Sequence, residues 1–208
     1  MTTAVQAQSG ADHTHLRHIL ASSAILGAVQ TVLVVAIAFA TRALAGPVEA
    51  IVVGLLVAVA ILVTAFFPGL RTRARSIEGI AGAAAIGLGA TVVFLLVDVA
   101  LLQPLGVYTN RWREIGGGSN WWYHPVFWMA GTFLPWMGAW ILANQAAKGA
   151  ASFPAAAALT LVLTLAAGVA AVLVGFPGAG WNVPTFGVAG LAGLPLAVLV
   201  SSLGRRSA

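Results

Sequence analysis

From residue 19 to residue 203 the chain alternates between long apolar runs and shorter polar breaks. The apolar runs fall at about 19–41, 48–68, 79–103, 124–147, 155–176 and 183–203. Each comes close to the roughly 20 apolar residues that a helix needs to cross a bilayer. None has the strict alternation of a membrane-spanning strand. A helix also satisfies its own backbone hydrogen bonds where lipid offers no partner. The pattern therefore predicts an all-α fold, a polytopic transmembrane helical bundle of about six spans forming one domain over 19–208. Residues 1–18 are polar and carry no periodic apolar face, which predicts a flexible cytoplasmic tail. A long connection at about 104–123 separates the third and fourth runs. Arg17 and Ala43-Leu44-Ala45 flank the first run as in a cleavable leader. That run is longer than the roughly 7–15 apolar residues of a leader, so it is expected to remain as a span.

The breaks carry turn chemistry. Gly46-Pro47 predicts a tight turn, and Pro68-Gly69 predicts the end of the second helix. Ser152 before Pro154, and Asn182 before Pro184, have the order of a capping residue and an early helical proline. Pro135 and Pro195 fall inside the fourth and sixth runs, where proline removes a backbone hydrogen bond. Small residues four apart predict close helix contacts: Gly27 with Ser23 and Thr31, and Gly87 with Ala83 and Thr91. Gly168 with Thr160 and Thr164, and Gly193 with Ala189 and Ala197, repeat the pattern. Phe67-Pro68-Gly69 and Phe176-Pro177-Gly178 follow the second and fifth runs, a faint echo of an inverted repeat.

Composition removes the soluble alternatives. Hydrophobic residues make up 60% of the chain and charged residues only 7%, against about 25% charged in a soluble domain. The net charge of +5 would suggest nucleic acid in a soluble protein. Here the basic residues sit beside apolar runs, where they act as topology signals and headgroup contacts, so no nucleic-acid partner is expected. Arg17, Arg71, Arg73, Arg75, Lys148, Arg205 and Arg206 fall on one side of the six-span arrangement, and Arg42, Arg111 and Arg113 on the other. Positive residues favour the cytoplasm, so both termini are expected inside. There is no cysteine, which excludes disulfides, thiolate metal sites and thiol catalysis. No phosphate-binding glycine loop, HExxH, His-box set or GxSxG elbow is present. No lysine lies within a run, which excludes a retinal Schiff base.

Candidate chemistry gathers around the long connection. Arg111, Trp112, Arg113, Glu114, Trp121, Trp122, Tyr123 and His124 combine cations, a carboxylate, aromatic faces and an imidazole. Such groups suit a lipid or quinone headgroup or a partner subunit, and an aromatic belt with arginines on phosphates is the plainer reading. Apart from Glu49 at the very start of the second run, Asp98 is the one carboxylate inside a run, and intramembrane acids are functional suspects by default. At about 1.5 Å per residue it lies roughly 29 Å along its helix, near the outer interface. There it is expected to pair with Arg111 or Arg113. His13, His15 and His18 with Asp12 form a second cluster suited to a transition metal. His124 with Asp98 and Glu114 forms a third conceivable donor set. Phe133, Trp136 and Trp140 share one face of the fourth run, and the Trp136 indole is expected to find Gln30 or Thr91.

Three functional readings remain open. The first is a non-catalytic subunit of a membrane assembly, self-associating or bound to other membrane subunits, that uses its aromatic and arginine-rich outer connection for contact. The second is a small proton- or cation-coupled transporter using Asp98, which should show a polar cavity lined by Asp98, Gln30 and Thr91. The third is a redox or enzyme subunit holding haem, copper or quinone. No cofactor is named by any motif. The partner expected in every case is the lipid bilayer, most simply a bacterial inner membrane.

Overall fold

The computed structural model describes residues 12–108, 123–149 and 151–203, with the side chains of 123–126 left undescribed. Six long helices account for most of it. They are α1 (Leu16–Ala43), α2 (Gly46–Thr72), α3 (Ile77–Val97), α4 (Tyr123–Ala147), α5 (Phe153–Leu173) and α6 (Val183–Ser202). The described residues contain no strand. Five of the helices, α4 excepted, are long and apolar enough to cross a membrane by length and composition. The remaining helix, α4, has 25 residues, about 38 Å at 1.5 Å per residue. The outward surface is apolar: Leu55, Leu96, Val162 and Leu199 are each more than 60% exposed. Water would penalise such a surface and lipid does not.

The helix ends follow the local chemistry. Gly46 adopts a left-handed φ of 64° at the α1–α2 turn, and Pro47 begins the helix behind it. Ser152 and Asn182 cap α5 and α6, accepting from the backbone N–H groups of Ala155 and Thr185. One boundary departs from expectation. Pro68 does not end α2; the helix runs on to Thr72 and is closed by Arg73 in a left-handed conformation with φ 51°. Phe176 and Gly178, by contrast, lie in the turn beyond α5. The two Phe-Pro-Gly triplets therefore occupy different structures.

The bundle is arranged around α2 and α4. α1 packs chiefly on α3, α3 also on α4, α4 also on α2 and α6, and α5 chiefly on α6. Glycines allow these approaches. A Cβ at Gly27 would lie 2.7 Å from Val93 Cβ, and one at Gly87 would lie 2.1 Å from the Gly131 carbonyl oxygen. Gly168 seats the Phe186 ring and Gly193 seats Thr164. The main apolar core joins Phe66, Leu134, Met137, Ile141, Leu194 and Ala197. Buried polar groups tie helices together. Ser23 donates to the Ile86 carbonyl at 3.2 Å, and Asn144 donates to Ser201 Oγ at 3.0 Å and to the Val198 carbonyl at 3.3 Å.

The segment before α1 is fixed to the bundle. Asp12, placed by sequence in a flexible tail, accepts from the backbone N–H groups of Arg75, Ser76 and Gly79 at 2.9–3.1 Å and from the Ser76 hydroxyl. It thus adds to the Ser76 cap at the start of α3, where orphan N–H groups and the helix dipole favour a carboxylate. His13 N–H donates to the Thr72 carbonyl at 2.8 Å. Close packing of Asp12 and Thr14 is possible because positions 79 and 82 are glycine. Lys148 Nζ reaches the Leu203 carbonyl at the end of α6. Arg75 shares a surface pocket with Ala146, Ala147 and Ala151. The start of α1, the α2–α3 turn, the α4–α5 turn and the end of α6 therefore lie at one end of the bundle.

A buried carboxylate at the root of the long connection

At the opposite end, α3 changes form. Its last turn widens into a π-helix over Asp98–Leu102, with Gln103 N–H bonded to the Asp98 carbonyl at 2.9 Å. Extra turns of this kind re-aim side chains and recur at functional sites. Beyond it, Val107 N–H bonds the Leu102 carbonyl at 3.0 Å, and Gly106 takes a left-handed φ of 61° that reverses the chain. Arg42, from the end of α1, donates to the Gly106 carbonyl at 2.5 Å. The chain is thereby brought back over the top of α3.

The result is a closed polar unit. Asp98 is fully buried. One carboxylate oxygen accepts from Gln103 Nε2 at 2.6 Å, and the other accepts from the Tyr108 hydroxyl. Tyr108 in turn lies against the apolar cluster of Ile37 and Val53, which includes Val183 from α6. Tyr108 thus joins the Asp98 carboxylate of α3 to the apolar faces of α1, α2 and α6. A buried acid is tolerable only if hydrogen-bonded, and Asp98 receives both donors from within ten residues of itself.

The partners expected from sequence are not among the described residues. Arg111 and Arg113 fall outside the described residues, as do Trp112, Glu114, Trp121 and Trp122. Tyr123 and His124 are placed only as the first backbone turn of α4. The described partners of Asp98 are Tyr108 and Gln103, which sequence reasoning did not pair with it. No periodic signal could have found them, because the π turn and the left-handed Gly106 create the meeting.

Of the four histidines, His13, His15 and His18 do not converge on this place, and the His124 side chain lies outside the described ones. His13, His15 and His18 lie at the far end of the bundle. The His13 and His18 rings meet edge to face at 5.9 Å, and His18 Nε2 is 2.9 Å from the Arg71 carbonyl. Asp12 is occupied by the α3 cap, and no group of three metal-ligating side chains is found among the described residues.

Between α1, α2, α3 and α4, below the Tyr108 cluster, is a cavity of about 230 Å³. Its polar side chains are Gln30, Thr64 and Thr91. Gln30 donates to Thr64 at 3.3 Å, and Thr91 bonds back to the Gly87 carbonyl at 3.0 Å. Asp98 does not line it. Trp136 meets neither Gln30 nor Thr91; it is 45% exposed on the outer surface of α4 and stacks on Trp140 at 6.0 Å.

Comparison with protein-family models, with curated proteins and with solved structures finds no match.

Proposed function

We propose that this integral membrane protein is a non-catalytic subunit of a membrane assembly, and that the connection at 104–123 is its docking element. One observation carries the reading. Asp98, a fully buried carboxylate, faces Gln103 and Tyr108 at the root of that connection. It does not face the cavity. A group committed to holding a loop root supports presentation of the loop more than movement of a proton. Arg111, Trp112, Arg113 and Glu114 supply the chemistry for an anionic headgroup or a partner's polar face, and Trp121 and Trp122 supply interfacial aromatic surface. The charge bias fits a bacterial inner membrane with both termini in the cytoplasm.

A transporter is the second reading, favoured by the cavity with Gln30, Thr64 and Thr91 beneath the Tyr108 cluster. Native purification in mild detergent, followed by mass spectrometry, separates the two. Replacing 111–114 by Gly-Ser-Gly-Ser should leave the bundle folded and remove a co-purifying subunit or specific lipid. Proton- or cation-driven uptake in vesicles that is abolished by Asp98→Asn would overturn the docking reading. Visible absorbance or stoichiometric metal in the purified protein would point to the redox reading instead.

A further inference from the structure

α4 carries aromatic side chains on its outward face at the wrong depth. Met129, Thr132, Trp136 and Trp140 form one stripe at helical spacing, with Met129 71%, Trp136 45% and Trp140 37% exposed. Trp136 is the fourteenth of the 25 residues of α4, and the neighbouring Pro135 packs against Gly87 midway along α3, so Trp136 sits near the mid-depth of the bundle. Interfacial Trp residues belong at the headgroup level, where the indole N–H meets water or phosphate. At the centre, lipid tails offer no acceptor. Among the described residues, neither the Trp136 nor the Trp140 indole N–H has a hydrogen-bond acceptor; their recorded partner is each other's ring. The structure thus leaves donors facing outward where only another protein, or a polar group carried into the membrane, can receive them.

The same stripe holds an acceptor. Thr132 lies one turn outward of Trp136, and its hydroxyl proton is directed to the Trp128 and Met129 carbonyls at 3.0 and 3.1 Å. Its oxygen lone pairs remain able to accept. Two copies of this chain inserted with the same charge bias share one orientation. A two-fold axis along the membrane normal then sets their α4 helices parallel, with equal depths facing. Trp136 of each copy meets Thr132 of the other within one helical turn, about 6 Å of rise. Both bonds form at once, and the contact closes on itself.

We infer that the outward stripe of α4 is a homodimer interface, in which the Trp136 indole of each copy donates to Thr132 of its partner at mid-membrane depth. This goes beyond the docking role of the outer connection and does not depend on it.

The test uses the full chain in its membrane. With no cysteine present, single-cysteine variants report contacts directly. Met129→Cys should form a disulfide-linked dimer on mild oxidation. Val162→Cys, which is 62% exposed on α5, should not. In lipid, dimerisation followed by energy transfer between labelled copies should weaken about three- to tenfold in Trp136→Phe, which keeps the ring but removes the donor. Thr132→Val should do the same from the acceptor side. Both variants should leave monomer unfolding in detergent unchanged, and the 111–114 replacement should leave dimerisation unchanged. Equal crosslinking at 129 and 162, crosslinking at neither, or unweakened association of Trp136→Phe would overturn the interface. So would a quinone or pigment that co-purifies with the wild type and is lost from Trp136→Phe, since the stripe would then hold that molecule.

Discussion

Gly87→Ala is the smallest change that should damage the bundle measurably. The new methyl carbon would lie 2.1 Å from the Gly131 carbonyl oxygen and 2.3 Å from Pro135 Cγ. Carbon contacts are comfortable at roughly 3.5 Å or more, so α3 and α4 must part locally by more than about 1 Å. Neither obstacle can step aside. One is helical backbone, and the other is a fully buried proline ring. Separation also disturbs Thr91, whose hydroxyl rests against Gly131. Overpacking of this kind costs about 1–3 kcal/mol, and the rigid surroundings place this site near the top of that range. For a chain of this length 1 kcal/mol corresponds to about 2–4 °C in Tm, so a fall of about 6–10 °C is expected. The assay is thermal unfolding in one mild detergent, followed by tryptophan fluorescence. Gly54→Ala is the matched control, because its Cβ would meet only Val183 Cγ2, at 3.7 Å. It should change Tm by less than about 2 °C, in line with substitutions away from strained contacts. Equal effects of the two substitutions would refute the close approach of α3 and α4.

Two further expectations concern the Asp12 end of the bundle and the topology. Asp12→Ala should cost about 0.5–2 kcal/mol, the usual range for loss of an N-cap, and should speed amide exchange at Arg75, Ser76 and Gly79 by mass spectrometry; unchanged exchange would mean that the segment before α1 does not cap α3. Reporter fusions after Lys148 and at the C-terminus should signal cytoplasm, and one near Gly117 should signal the outside, whereas an external signal at the C-terminus would break the six-span arrangement.

The helices were legible because lipid imposes a simple rule. Twenty apolar residues in a row have few alternatives to a helix, and Ser152 and Asn182 announced two of its starts by their side chains. The contacts at Gly27 and Gly87 were also foreshadowed, since a small residue every fourth position is a one-dimensional signal. Pro68 misled because proline is tolerated in membrane helices, where neighbours compensate for the missing bond. Asp12 read as a candidate metal ligand because the N–H groups that donate to it lie more than sixty residues away, at the α2–α3 turn. Asp98 stood out as a buried acid, but its partners did not. The π turn adds a residue to the helical count, and Gly106 reverses the chain, so periodicity cannot say that Tyr108 returns to position 98. Trp136 was expected to point inward because aromatic stripes usually pack. Its outward face emerges only when α2, α3 and α6 are seen to claim the other sides of α4.

The central claim is that Asp98 anchors the 104–123 connection through Tyr108. A double-mutant cycle with Asp98→Ala and Tyr108→Phe, read by unfolding in mild detergent, tests it most directly. Each single change leaves a polar partner behind, at a cost of about 1–3 kcal/mol. The double change should recover part of that loss, giving a coupling of at least about 1 kcal/mol, whereas the cycle of Asp98→Ala with Trp136→Phe should show none. Additive effects of Asp98→Ala and Tyr108→Phe, within about 0.5 kcal/mol, would contradict the anchor and free Asp98 for another role.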